Sequence, residues 1–243
     1  MDAVALEVVQ RAVQGSNPGP SLSERVLGLL ERVDYRRAET AEEREAIFRL
    51  RYAAYLREGA IPPNAGERFS DNLDETANAW IFGVHVDGEL ASSIRLHVTS
   101  REHPHMPAIN VFSDLLSPVV AGGRTVIDPT RFVADRTASR RHPELCYVTT
   151  RLAVVASEYF AANMLLATVR AEHQAFYRRV FGHRVVCEPR HYPSLTKPIS
   201  LMGLDYPIAR ERVLQRHPFF RSSFFERRML FGTPAAVALR SAA

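Results

Sequence analysis

Two apolar runs with the alternation of strands, Ala79 to Val86 and Glu89 to Thr99, are joined by Asp87-Gly88. Both central residues of a tight two-residue turn need positive φ, so this dipeptide is a strong hairpin signal. The middle of the chain is therefore committed to an antiparallel pair. Before it, Tyr35 to Glu39 reads as a first strand. Thr40 then opens a helix in which Ile47, Leu50, Ala54 and Tyr55 recur at helical spacing as far as Arg57. Glu43, three residues after Thr40, completes a capping box, and Gly59, Pro62 and Pro63 end the helix. After the hairpin, residues 101–123 read as a loop with one helical turn near Phe112 to Leu116.

Thr125 to Phe132 is another strand, and Pro129 within it marks an edge, an end or a bulge. Pro143 begins a long helix with a buried stripe through Leu145, Val148, Leu152, Val155, Ala156 and Tyr159. Leu165 to Val169 is a short strand, and Gln174 to Phe181 a short helix closed by Gly182. Arg184 to Cys187 and Ser200 to Leu204 are late strands. Hairpins mixed with helical crossovers predict an α/β domain with one mixed central sheet flanked by helices. That domain spans residues 34–206, between an N-terminal helical arm (1–33) and a basic, aromatic C-terminal helical tail (207–243) packed on it.

Composition narrows the function classes. The 243 residues carry a net charge of +4, too modest to imply nucleic acid, and Lys197 is the only lysine among 31 basic residues. Arginine grips carboxylate and phosphate with two prongs. Two cysteines, Cys146 and Cys187, exclude a disulfide framework and fit a reducing cytoplasm. The nine histidines show no paired zinc-ligand spacing, so no metal site is expected. The N-terminus lacks the basic start and apolar core of a signal peptide, and no run reaches the roughly 18 apolar residues a membrane span needs.

The chemically informative residues are Arg51 and Tyr55, four apart on one helix face, then Asp71-x-x-Asp74, Arg95 within an apolar strand, and Asp128-x-x-Arg131-Phe132 around Pro129. Charged residues within apolar strands must be paired or face a cleft. Two readings stay open: an ion-pair network bracing the sheet, or a polar site cut into it. Farther on, Ala171 to Gly182 places Phe176 and Tyr177 on a short helix, either as core aromatics or with Tyr177 directed at a site.

This order and spacing resembles the acyl-homoserine-lactone synthases and their relatives the N-acyl amino acid synthases, over residues 44 to 135. The Phe176-Tyr177 helix is similar to one near the end of many GNAT enzymes. The lactone synthases have a tryptophan soon after the first aromatic, whereas this chain has Leu-Arg-Glu-Gly-Ala-Ile-Pro and a single tryptophan, Trp80. Their last acidic residue is usually Glu and is Asp128 here, so the N-acyl amino acid synthases are the better match. The resemblance implies a GNAT-like fold and transfer of a long acyl group from acyl carrier protein to the amine of an amino acid, by a cytoplasmic bacterial enzyme. It implies no cofactor, because acyl-phosphopantetheine is the donor substrate. The alternatives are a lactone synthase using S-adenosylmethionine and a non-catalytic GNAT-like scaffold.

On this reading Asp128, Arg131 and Arg95 are catalytic, while Arg51, Tyr55, Asp71, Asp74, Phe132 and Tyr177 bind substrate. A strand bulge at Pro129 would offer backbone amides to the oxyanion, and Asp128 would take the amine proton. The glycine loop with which coenzyme A-dependent GNAT enzymes hold pyrophosphate is absent: Val133 to Pro143 contains no glycine. Arg136, Arg140 and Arg141 in that stretch are the expected grip on the carrier.

Overall fold

A computed structural model describes residues 19–192 and 195–232. Residues 1–18 of the expected N-terminal arm and 233–243 of the expected tail lie outside the described residues. Helix α1 (Leu22–Leu30) starts at Ser21, whose hydroxyl accepts from the Glu24 N–H while the Glu24 carboxylate accepts from the Ser21 N–H. Strand β1 (Val33–Arg37) begins two residues before the predicted one. Helix α2 (Ala41–Arg57) has the Thr40–Glu43 capping box, and Gly59 beyond it takes φ +62°. The hairpin is β2 (Ala79–Val86) and β3 (Glu89–Val98), with positive φ at both Asp87 and Gly88.

The expected loop at 101–123 contains a helix, α3 (Ile109–Ala121). It is kinked at Phe112, and Pro118 lies inside it. Phe112, Leu116 and Val120 fall on one face and are buried with Val126, Leu166 and Leu201. Tertiary burial thus outweighs the poor local propensity of a proline-containing segment.

Strand β4 (Val126–Ala134) is followed by α4 (Arg136–Arg141) and α5 (Leu145–Tyr159), so the long helix starts two residues after Pro143 and the three arginines sit on a short helix of their own. Then come β5 (Met164–Val169), α6 (Gln174–Val180), β6 (Arg184–Val185), β7 (Ser200–Asp205), α7 (Tyr206–Arg216) and α8 (Phe224–Phe231). Among the described residues the sheet order is β1-β2-β3-β4-β5-β7-β6, with β4 and β5 the one parallel pair. This is the mixed α/β sheet that the sequence predicts.

Two irregularities in the sheet position the site. Ser93 pairs with Val133 but Arg95 pairs with Thr130, so Arg131 and Phe132 together oppose Ile94. This β-bulge holds Arg131 at φ +55°, a left-handed conformation uncommon for a side-chain-bearing residue, and it bends β4. Secondly, β4 and β5 pair only at Val126–Met164 and Ile127–Leu165. Beyond those pairs Pro129 has no N–H to donate, and the two strands run on unpaired to Ala134 and Val169.

The larger core cluster draws Val26 and Leu29 from α1 and Phe219, Phe220 and Phe231 from the chain's last elements. Phe231 lies among the rings of Trp80, Phe82, Tyr159 and Phe160, at centroid distances of 5.4, 5.3, 5.8 and 5.6 Å. Phe231→Ala is expected to lower unfolding stability by about 3–5 kcal/mol, measured by urea titration, because no neighbour can fill the space left.

Candidate active site

The Asp-x-x-Asp spacing is one turn of 3₁₀ helix, Asn72–Glu75. Asp71 caps it by accepting from the Leu73 N–H at 3.0 Å, and the Asp74 carboxylate accepts from the Asp71 N–H at 2.9 Å. The turn thereby aims both carboxylates at three arginines. Arg51 of α2 donates to Asp74 at 2.8 Å, Arg95 of β3 to Asp74 at 2.9 Å and to Asp71 at 2.5 Å, and Arg131 of β4 to Asp71 at 2.5 Å. Arg51, Arg95 and Asp74 are buried. Burial alone would raise the Asp71 carboxyl, but the bonds and charges of Arg95 and Arg131 reverse this and hold it well below the usual range. The Arg131 guanidinium also lies 4.4 Å from the Phe69 ring and 5.7 Å from that of Tyr55. Five of the predicted residues thus form one charge cluster, and Tyr55 borders it.

Asp128 stands apart. It is fully buried and makes no ion pair among the described residues. One carboxylate oxygen accepts from the Ala108 N–H at 2.8 Å, and the other has no hydrogen-bond partner. Burial pushes its carboxyl up to about 7, against a smaller downward pull from the Ala108 N–H and Arg95. His97 sits directly opposite Asp128 in the β3–β4 pairing and shares its face with Arg95. Burial holds the His97 ring neutral, and its Nδ1 is unpartnered.

The gap where β4 and β5 part is a cavity of about 420 Å³. Pro129 to Ala134 line one side, Thr168, Val169 and Arg170 the other, with Tyr55, Cys146, Phe176 and Tyr177 completing the wall. Arg131 belongs to both the charge cluster and the cavity wall. The bulge that sequence reasoning put at Pro129 lies two residues on, at Arg131–Phe132. Tyr177 faces the cavity, and burial pushes its hydroxyl up, so it stays protonated. Burial likewise pushes the Cys146 thiol up to about 11, which leaves no thiolate at neutral pH.

Arg136, Arg140 and Arg141 are exposed on α4 and do not line the cavity, whereas Ser139 between them does. Two N-terminal amides of α4 are already taken, since Asp135 accepts from the Thr137 and Ala138 N–H groups at 2.8 Å. At the start of α5 stands Glu144, bonded to Arg25 at 2.6 Å.

Sequence reasoning missed His97 and Tyr192. The period-two spacing from Arg95 was signal enough for His97. Tyr192 lies within electrostatic reach of Arg131, Asp128, Arg95 and Asp71, and burial raises its hydroxyl. Nothing local announces a tyrosine that arrives from so far along the chain.

Residues 46–205 match the family model described as N-acyl amino acid synthase FeeM. The chain belongs to that family. No curated protein matches it. Among solved structures, FeeM, an N-acyl amino acid synthase from uncultured soil microbes, is 18% identical and superposes with a TM-score of 0.63 over 76% of this chain and 96% of its own. The acyl-homoserine-lactone synthase LasI is 11% identical, with a TM-score of 0.51 over 82% and 94%. BjaI, a coenzyme A-dependent acyl-homoserine lactone synthase solved with SAM and isopentyl-CoA, is 12% identical, with a TM-score of 0.52 over 76% and 89%. The fold is GNAT-like and the protein is an N-acyltransferase.

The two kinds of carboxylate should respond oppositely to neutralisation. Asp74→Asn breaks a buried pair and is expected to cost about 3–5 kcal/mol of stability. Asp128 lies above its unfolded value of 3.8, so the folded state binds its proton more tightly. Its ionisation therefore costs nothing below pH 4, a growing amount as pH rises toward 7, and the full amount above. Asp128→Asn should be more stable than the parent at pH 8, with the gain disappearing toward pH 4, as read by melting temperature across pH.

Proposed function

We propose that the protein transfers a long acyl group from acyl carrier protein to the α-amine of an amino acid. The observation that carries this reading is the adjacency of the strand-gap cavity to the arginine–carboxylate cluster, with Arg131 in both. An acyl thioester in the gap lies along the bulged β4 backbone, whose amides receive the oxyanion. The amine nitrogen forms the new C–N bond, the C–S bond breaks, and the amine proton passes to Asp128 from the Thr130 side of the strand. Tyr177, protonated at the cavity wall, supplies a proton to the departing sulfur. Arg95 and Arg131 hold the site's charge balance, while Arg51, Asp71 and Asp74 fix the geometry in which Tyr55 and Phe132 meet the substrates. No Ser or Cys nucleophile takes part.

Choice of donor rests on α4. A pyrophosphate needs free amides at a helix N-terminus, and two of those of α4, on Thr137 and Ala138, are occupied by Asp135. Carrier-borne phosphopantetheine has a single phosphate and an acidic protein behind it, which suits Arg136, Arg140 and Arg141. The reaction belongs to the cytoplasm, where acyl carriers are made. No helix among the described residues is long and apolar enough to cross a membrane.

Acyl carrier protein should outperform acyl-coenzyme A as donor at matched concentration, and equal rates would refute the donor assignment. Asp128→Asn should lower kcat while the protein stays folded. In the parent, kcat should rise through about pH 7 as Asp128 loses its proton. Arg140→Glu with Arg141→Glu should raise KM for the carrier substrate, most strongly at low salt, and leave a short carrier-free thioester unaffected. Methylthioadenosine release from S-adenosylmethionine would instead mark a lactone synthase.

A further inference from the structure

The C-terminal elements contain a surface that acyl transfer does not use. Residues 206–232 hold six arginines and two glutamates, a formal +4 equal to the net charge of the whole chain. None of them lines the strand-gap cavity. Helix α8 is anchored from one side: Phe231 is in the core, and Glu226 binds the buried Arg151. Its other side presents Phe224, Phe225 and Met229, which are 61%, 71% and 69% exposed. Phe224 and Arg228 are one helical turn apart, as are Phe225 and Met229, so these four form one stripe. Arg228 stands over the Phe224 ring at 5.9 Å, and Arg221, also exposed, precedes the helix.

Three large apolar side chains left exposed among the described residues carry a standing cost in water. An acidic carrier would satisfy the arginines but leave those side chains wet. A bilayer with anionic headgroups satisfies both at once. Phe and Met enter the headgroup–acyl boundary, and arginine stays at phosphate level. We propose that the outer face of α8, centred on Phe224, Phe225, Arg228 and Met229, is a docking surface for anionic lipid bilayers.

The test is co-sedimentation of the full chain with vesicles of equal parts dioleoylphosphatidylglycerol and dioleoylphosphatidylcholine, with pure dioleoylphosphatidylcholine vesicles as control. Binding is expected to the mixed vesicles, to weaken with added salt, and to be near background on the control. Phe224→Ser with Phe225→Ser and Met229→Ser, and separately Arg221→Glu with Arg228→Glu, should each reduce the bound fraction by about tenfold. Both variants should keep the parent's circular dichroism and melting temperature. The proposal is overturned if the parent does not sediment with anionic vesicles at low salt, or binds the control equally. It is also overturned if the folded variants bind like the parent, or if the stripe instead mediates a concentration-dependent dimer or carrier binding. Vesicle binding is read without turnover, so its failure is separable from failure of the proposed reaction.

Discussion

Everything at the centre of the molecule depends on two carboxylates shared among three arginines. Asp71 and Asp74 project from one short turn, and Arg51, Arg95 and Arg131 reach them from a helix and two strands. A guanidinium cannot shed its charge at physiological pH, so burying three of them without partners would be prohibitive. Once the turn is in place, α2, β3 and β4 have one mutual arrangement in which all three are paired. The residues that the sequence left as a bracing network or a polar site are joined in one paired network, and Arg131 carries that network to the cavity wall.

Asp128 shows the opposite principle. It is held by one backbone amide and has no paired cation among the described residues, so its ionisation is costly and burial pushes its carboxyl up to about 7. Asp71 and Asp128 both feel Arg95, yet they differ because one is hydrogen-bonded by the cation and the other senses it only across a distance. The sequence pattern grouped Asp128 with the cluster because charge type and spacing do not say which carboxylates the guanidinium groups reach.

Local signals were legible where the chemistry is local. Asp87-Gly88 and Thr40 with Glu43 each encode a turn or cap within four residues, and each is present in the fold, whereas the capped turn between Asp71 and Asp74 emerged only in the structure. Helix α3 was not legible, because Pro118 argues against a helix that only its burial against β4, β5 and β7 stabilises. The same holds for α4, whose six residues gain their order from the Asp135 cap rather than from a periodic apolar face. His97 was legible from its two-residue spacing from Arg95, whereas Tyr192 enters by tertiary approach, which no short window contains.

The sparse pairing between β4 and β5 has a geometric consequence. Among the described residues, two residue pairs at one end form the whole ladder joining the β1–β4 portion of the sheet to the β5–β7–β6 portion. Beyond that seam no strand pair among the described residues ties β4 to β5, and the far end of β4, at Ala134, is held to the sheet through Ser92 of β3. The width of the gap between Ala134 and Val169 is therefore a matter of strand divergence that starts at Val126, Ile127, Met164 and Leu165, none of which lines the cavity.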